Sequence, residues 1–311
     1  MKLLRGLNPA AAFKAGTVAT IGNFDGVHLG HQALLAQLKI QSLRFRLPMV
    51  VLIFEPQPSE FFYQKNVPAR LTNLREKVDM LKAAQVDYVC CLKFNKKLAS
   101  MLPSDFATTY FFSLLQTKYL LIGEDFRFGQ DRQGDVNLLS NLAKQAKCTL
   151  ETFPNFTVDN QRVSSTKIRE LLASNQLKQA QALLGRPYSL CGRVVPGQGR
   201  AREWGIPTAN LSLHRISLPL SGVFCVQVQR LNGQIVNGVA NLGRRPTVDG
   251  SRNVLEIHLF DFSGNLYGEM LKVVFLHKLR DEVKFSSIEK LVQQIHDDVF
   301  SAKCYFNDLI V

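Results

Sequence analysis

Two stretches of this chain carry residues whose types and spacing suit chemistry on phosphates. The first is Gly22-Asn23-Phe24-Asp25-Gly26-Val27-His28-Leu29-Gly30-His31, with two imidazoles three residues apart. If a helix begins here, both rings face one side of its first turn. A helix start also offers free backbone N–H groups and partial positive charge, which suit a phosphate. The imidazoles can donate to a phosphoryl group as charge builds on it in a transition state. Gly30 keeps the backbone open to close approach. This is no P-loop, because the Gly-Lys-Ser/Thr ending is missing. In isolation, His-x-Gly-His could equally be two surface histidines, and the strand-turn-helix setting is what favours chemistry.

Three further pieces could serve the same site. Arg162-Val163-Ser164-Ser165-Thr166-Lys167-Ile168-Arg169 has hydroxyls able to cap a helix and basic groups beside them. Taken with the His-x-Gly-His turn, it reads as a clamp for a triphosphate. Ile122-Gly123-Glu124-Asp125-Phe126-Arg127-Phe128-Gly129 follows a strand and offers aromatics and Arg to a flat ring. Phe54-Glu55-Pro56-Gln57-Pro58 also follows a strand.

The second stretch is Gly197-Gln198-Gly199-Arg200-Ala201-Arg202-Glu203-Trp204-Gly205-Ile206-Pro207-Thr208-Ala209-Asn210. Its glycines and arginines make a basic loop suited to covering phosphates. Thr208 and Asn210 offer neutral oxygens two residues apart, fitting a metal that arrives with ATP. Farther on, Leu255, Ile257 and Leu259 alternate with Glu256 and His258. Alternation puts Glu256 on the face opposite the apolar one. There it is either a solvated strand residue or a carboxylate held ready to take a hydroxyl proton.

The elements that must position these groups fall into two halves. Thr17–Ile21, Met49–Phe54, Tyr88–Leu92 and Tyr119–Ile122 read as strands. Helical patterns over Leu29–Leu38, Leu74–Ala84 and Pro103–Leu115 alternate with them. This predicts a doubly wound, Rossmann-like parallel α/β domain with ligands at the carboxyl ends of its strands. Beyond Gly185-Arg186-Pro187 the pattern becomes β-rich, with strands at Ser189–Val195, Val223–Gln229, Ile235–Val239, Val254–Phe260 and Leu271–Leu276. Asn232-Gly233 signals a type I′ hairpin. A small antiparallel barrel is predicted. The closing helix has Ser286-Ser287-Ile288-Glu289 as a capping box and Ile288, Leu291, Val292, Ile295 and Val299 as an apolar stripe. The expected domains are 1–185 and 186–311.

Composition bounds the function. The 311 residues are 46% hydrophobic, enough for two cores. No run of about 18 apolar residues is present, and the N-terminus does not read as a signal peptide, so a cytoplasmic protein is expected. Six cysteines without Cys-x-x-Cys spacing read as reduced core thiols. The net charge of +13 favours anionic ligands, nucleotides or nucleic acid.

The N-terminal segments, in their order, resemble the first module of the bacterial bifunctional riboflavin kinase/FAD synthetases. The resemblance continues through Gly185-Arg186-Pro187-Tyr188, Pro207-Thr208-Ala209-Asn210, Gly222-Val223-Phe224, Asn241-Leu242-Gly243, Arg245-Pro246-Thr247, Glu256-Ile257-His258, Tyr267-Gly268 and Leu279-Arg280-Asp281-Glu282 to Lys284-Phe285. It implies phosphorylation of riboflavin to FMN by the barrel and adenylylation of FMN to FAD by the α/β domain, with ATP as co-substrate. It implies His28 and His31 as catalytic, and nucleotide contacts from Gly22, Asn23, Phe24, Asp25, Gly30, Ser164, Ser165, Thr166 and Arg169, with Gly197, Gly199 and Gly205 in the barrel. Flavin contacts are implied for Phe54, Pro56, Pro58, Asp125, Phe126, Arg127, Phe128, Arg280 and Glu282. Thr208 and Asn210 become Mg²⁺ ligands, and Glu256 the base for the ribityl 5′-hydroxyl. Glu124 departs from the pattern by standing where the family commonly has an apolar residue, and Ala201 stands in place of a loop glycine.

Two other readings stay open. One is an adenylyltransferase acting on a non-flavin phosphate, with the barrel as accessory. The other is an RNA-binding protein with an inactive nucleotide fold. The barrel lacks the interleaved surface aromatics of a single-strand platform, so small-molecule substrates are expected rather than nucleic acid. No membrane partner is expected. Neither oligomeric state nor transfer of FMN between domains is encoded legibly.

Overall fold

Met49, Val50, Val51, Leu52 and Ile53 are all fully buried. A strand hidden on both faces must lie within a sheet covered by helices on both sides. In the computed structural model, which describes residues 1–6, 13–63, 67–197, 200–213, 215–247 and 250–308, this is the case. Six strands make the sheet: β1 (Lys2–Arg5), β2 (Thr17–Ile21), β3 (Met49–Glu55), β4 (Tyr88–Lys93), β5 (Thr117–Gly123) and β6 (Thr149–Phe153). Their order is β1-β4-β3-β2-β5-β6, and every pairing is parallel.

Alternate residues of each strand feed two separate cores. Val18, Val51, Ile53 and Leu121 pack with Leu34, Leu35 and Leu38 of α1 (Leu29–Phe45). Ala19, Val50, Leu52 and Leu120 pack on the other side with Phe106, Phe111 and Leu139. The chain runs from β2 out to β3 and β4, then returns to place β5 on the far side of β2. The β2/β5 boundary is therefore the topological switch point, where open α/β sheets form a ligand crevice.

The remaining helices of this half are α2 (Pro58–Phe62), α3 (Leu74–Ala83), α4 (Lys96–Ala99), α5 (Pro103–Phe106) and α6 (Val136–Gln145). The single helix expected over Pro103–Leu115 is instead α5 running into a π-helix over Ala107–Leu114. A two-stranded hairpin, β7 (Thr157–Val158) with β8 (Gln161–Arg162), follows β6.

The chain divides into two compact units. One holds Met1–Pro68 and Thr72–Ser165, and the other holds Ala69–Leu71 and Thr166–Val311. The second contains α7 (Ser165–Ala173, from its second residue), α8 (Leu177–Leu184) and a closed antiparallel barrel. The barrel strands are β9 (Ser189–Val195), β10 (Ala209–Ser212), β11 (Gly222–Gln229), β12 (Ile235–Thr247), β13 (Gly250–Leu259) and β14 (Met270–Arg280), ordered β10-β13-β12-β11-β14-β9. The short helix α9 (Arg200–Glu203) precedes β10, and α10 (Ile288–Asp308) closes the chain. Val299, Ala302 and Phe306 of α10 pack on Val223, Cys225, Val239 and Phe260 of the barrel.

Two local expectations are corrected. The β11–β12 connection is Arg230–Gln234, with three residues inside the closing Arg230–Gln234 pair rather than the two of a type I′ turn. The Arg230 N–H bonds the Gln234 carbonyl at 2.9 Å and the Gly233 N–H bonds the Arg230 carbonyl at 3.0 Å, with only Gly233 in the left-handed region. This is the geometry of a turn closed by a glycine bulge. At α10, Ser287 is the cap in place of the Ser286–Glu289 box: its Oγ accepts from the Lys290 N–H at 3.3 Å, because the helix starts one residue later.

None of the six cysteines is in a disulfide. No helix among the described residues is long and apolar enough to cross a membrane.

Candidate functional sites

The first site grows from the turn between β2 and α1. His28 is the N-cap of α1, and its Nδ1 accepts the His31 backbone N–H at 3.3 Å. With Nδ1 accepting, the ring proton is placed on Nε2. The two imidazoles stack, 3.6 Å between centroids and 15° between planes, with Phe24 beside His31 at 4.8 Å. Gly30 is what permits this, since a Cβ there would lie 3.3 Å from the His28 ring and 3.4 Å from Phe156.

The turn itself is strained. Phe24 (φ 46°) and Val27 (φ 38°) both lie in the left-handed region, where bulky and β-branched residues rarely go. Each such residue costs roughly 1–3 kcal/mol. Burial of both side chains and a polar clasp hold the turn in place. The Asp25 carboxylate accepts the Thr72 N–H at 3.0 Å and its hydroxyl at 3.2 Å, and Thr72 Oγ1 accepts the Gly26 N–H at 2.9 Å. Ser165 Oγ donates to the Asp25 carbonyl at 2.8 Å. Asp25, 1% exposed, thus builds the turn, while Asn23 is exposed.

A cleft of about 270 Å³ opens at the switch point, lined by Gly22, Phe24, His28, Gly30, His31, Gly123, Asp125, Phe126, Arg162, Ser164 and Ser165 among others. Arg162 and Asp125 form an ion pair in it at 2.5 Å. Phe126 stacks on Phe128 at 5.4 Å and 10°. Phe128 is a core residue, 6% exposed, and Arg127 turns to Asp135 at 3.6 Å. Phe54 packs on Phe94 and Phe106. Pro56 is exposed, and Pro58 takes the first position of α2. Phe61, Phe62 and Phe94 extend this aromatic wall and were not singled out from sequence. Thr166 and Arg169 belong to the second unit, where Arg169 Nε donates to the Ala69 carbonyl at 2.6 Å.

The second site lies on the outer wall of the barrel. Leu255, Ile257 and Leu259 point inward, leaving Glu256 and His258 half-buried on the outer face. Glu256 pairs with Asn210 of β10 on one side and Asn241 of β12 on the other. Three strands therefore bring a carboxylate between two amides, and Thr208 lies on the same face as Asn210. Two clefts meet here. One of about 390 Å³ is lined by Glu256, His258, Asn241, Trp204, Arg280, Glu282, Phe285 and residues of α10. Another of about 780 Å³ is lined by Gly197, Phe262, Asn265 and Tyr267. Thr208 and Asn210 line both.

Gly197 is required by this packing, because a Cβ there would come within 2.3 Å of the Asn210 amide nitrogen. Gly205 adopts φ 74° in open space. Gly199 lies outside the described residues. Arg280 forms a two-pronged ion pair with Asp298 of α10, at 2.8 Å from Nε and 2.7 Å from Nη2. Asp298 is 6% exposed and was hidden from sequence reading inside an amphipathic helix pattern. The Glu282 carboxylate rests against the bare Cα of Gly243.

Among the described residues, no cluster of three or more His, Cys, Asp or Glu side chains could hold a metal by itself. The donor set at the barrel is instead Thr208 and Asn210 with Glu256 alongside. Two neutral oxygens fit Mg²⁺ that takes its remaining ligands from nucleotide phosphates and water.

Comparison with known proteins gives two adjacent family matches. Residues 10–167 match the FAD synthetase family and residues 184–306 the riboflavin kinase family. The bifunctional riboflavin kinase/FMN adenylyltransferase of Haemophilus influenzae is 48% identical over 307 residues, covering 99% of this chain and 100% of that protein. The protein of the same name from Escherichia coli K12 is 43% identical, covering 98% of each. A solved structure titled macrolide-efflux protein, from Streptococcus pneumoniae, aligns with a TM-score of 0.80 at 30% identity, over 95% of this chain and 97% of that one.

Proposed function

The chain belongs to the bifunctional riboflavin kinase/FMN adenylyltransferase family, and from that premise we propose how its two sites divide the work. The protein phosphorylates riboflavin to FMN and adenylylates FMN to FAD. Neither a non-flavin adenylyltransferase nor an RNA-binding protein finds support in these similarities.

In the barrel, riboflavin occupies the cleft that contains Glu256, and ATP the larger cleft beyond Thr208 and Asn210. Glu256 takes the proton of the ribityl 5′-hydroxyl as its oxygen attacks the γ-phosphorus, and ADP leaves. Thr208 and Asn210 hold Mg²⁺ brought by the nucleotide; the ion supplies charge neutralisation for the transferring phosphoryl group. Gly197 and Gly205 leave room for the phosphates beside them, and Arg280 and Glu282 border the flavin.

In the α/β unit, the FMN phosphate attacks the α-phosphorus of ATP and pyrophosphate leaves. His28 and His31 present ring N–H donors to the charge that develops there. The β2–α1 turn holds the nucleotide together with Ser164 and Ser165. Phe54, Pro56, Pro58, Asp125, Phe126 and Arg127 form the flavin side, with Phe128 backing Phe126 from the core. The boundary between the two catalytic domains is placed near residue 185.

The observation that carries this reading is the row Asn210–Glu256–Asn241, set where two clefts share Thr208 and Asn210. Incubation with riboflavin, ATP and Mg²⁺, with flavins separated over time, should show FMN rising before FAD. Chelation of Mg²⁺ should stop FMN formation. FMN made at an undiminished rate without divalent metal would refute the metal assignment.

A further inference from the structure

β10 begins at Ala209, and its ladder with β13 starts at the pair Ala209–Ile257. Pro207 therefore precedes the ladder, and proline cannot extend it with an N–H of its own. Its carbonyl is met instead by a side chain: His258 Nδ1 lies 2.9 Å from the Pro207 oxygen. A carbonyl oxygen only accepts, so Nδ1 is the donor and the tautomer is fixed. His258 is one residue past Ile257 and so stands abreast of Thr208, as Glu256 stands opposite Asn210. The ring is braced by Phe260, edge-on at 5.9 Å.

We propose that His258 is a positioning residue: its bond to the Pro207 carbonyl sets the turn from which Thr208 and Asn210 reach the nucleotide's metal. The proposal rests on the reading of those two residues as metal ligands. It also places a side chain of the Glu256 cleft in direct control of the wall of the nucleotide cleft. The turn has one end in a ladder; at the other, Ile206 is tied to the Ala201 carbonyl at 3.0 Å, so the Pro207 carbonyl nearest Thr208 depends on the His258 bond for its aim. Misplacement of binding groups by a fraction of an ångström weakens what they hold, while groups on other strands keep their geometry.

The test is calorimetric binding of ADP to the full-length protein, with Mg²⁺ and with chelator. The barrel site is the Mg²⁺-dependent component that Asn210→Ala removes. His258→Leu should weaken that component about tenfold, the loss of one well-placed hydrogen bond. It should leave ADP binding in chelator unchanged. His258→Asn, whose amide can stand where Nδ1 stands, should restore binding, whereas His258→Gln, with its amide farther out, should not. The Asn/Gln contrast reads the same bond without an apolar substitution, should His258→Leu fail to fold. Equal Mg²⁺-dependent binding in the Asn and Gln variants, or equal losses with and without Mg²⁺, would overturn the proposal. If Asn210→Ala removes no Mg²⁺-dependent component, the metal reading itself fails. If Asn210→Ala removes it and His258→Gln does not weaken it, only the positioning role fails.

Discussion

Gly197 has no room for a methyl group, because the Asn210 amide fills the space. Backbone so close to a side chain makes Gly197→Ala a displacement of Asn210 rather than a surface change. Riboflavin phosphorylation should fall about tenfold or more, as binding groups shift from their working geometry, while FAD formation from FMN stays normal. Steady-state rates on each substrate check this, and equal loss of both would point to general damage. Gly30→Ala is the counterpart in the other unit. The new Cβ crowds the His28 ring, so FAD formation should fall and FMN formation should not. Three thiols make a separate prediction. Burial pushes Cys90, Cys148 and Cys225 up to about 12 from 9.0, with neighbouring Cys91 adding to the shift at Cys90. Their neutral forms are favoured in the folded state, so the stability they confer is complete below pH 9. It is lost as pH rises towards 12, where the folded protein begins to bind fewer protons as well. Urea midpoints should therefore decline from pH 9 to pH 11. A flat profile would mean that these thiols ionise without hindrance in the fold.

At the level of elements, the β2–α1 turn owes its shape to the Asp25–Thr72 clasp, which ties it to the segment before α3. Thr72→Val removes the acceptor for Gly26 and the hydroxyl donor to Asp25 while keeping the bulk. Each buried polar group left unmatched costs about 1–3 kcal/mol. The variant should melt lower, and FAD synthesis should suffer even where the protein is folded. Rates measured well below the transition separate the two effects, and full activity there would show that the turn holds its form without the clasp. The Arg280–Asp298 pair plays a similar part for α10. Asp298→Ala should cost somewhat less than the ~3–5 kcal/mol of a fully buried pair, since Arg280 keeps some solvent contact. These contacts also mark what a sequence can disclose. His28 and His31 were legible because three-residue spacing and the helix start are local facts. Glu256 was legible because strand alternation is local too. Asp25 and Thr72 are 47 residues apart, and only the fold makes them partners. Asp298 sat within a helical pattern read for its apolar stripe, so its burial against Arg280 was out of reach. Phe128 stood in an aromatic run, and nothing local separates a ring in the core from one facing a ligand. The strand β10 is short and follows a proline, so it was not among the barrel strands read from sequence.

Across the whole molecule, the two activities should be separable. Residues from Thr166 to Leu184 group with the barrel rather than with the parallel sheet. Arg215 also donates to the carbonyls of Arg70 and Leu71, residues that group with it. A fragment beginning near residue 183 should still make FMN. One beginning at Thr166 should do so with a higher melting temperature, because it keeps α8 packed against β14. A folded fragment without kinase activity would contradict an independent barrel. One chain thus carries two separate sites acting in sequence, and two variants compared on two substrates decide it. Glu256→Gln and the His28→Ala/His31→Ala double variant are each supplied with ATP and Mg²⁺, first with riboflavin and then with FMN, and the flavin products are separated. The Glu256 variant should convert almost no riboflavin, a loss of about a hundred- to ten-thousandfold for a general base, yet turn FMN into FAD at the normal rate. The double-histidine variant should accumulate FMN from riboflavin and make little FAD from either. Loss of both reactions in both variants, or normal FAD synthesis without the two histidines, would contradict the account.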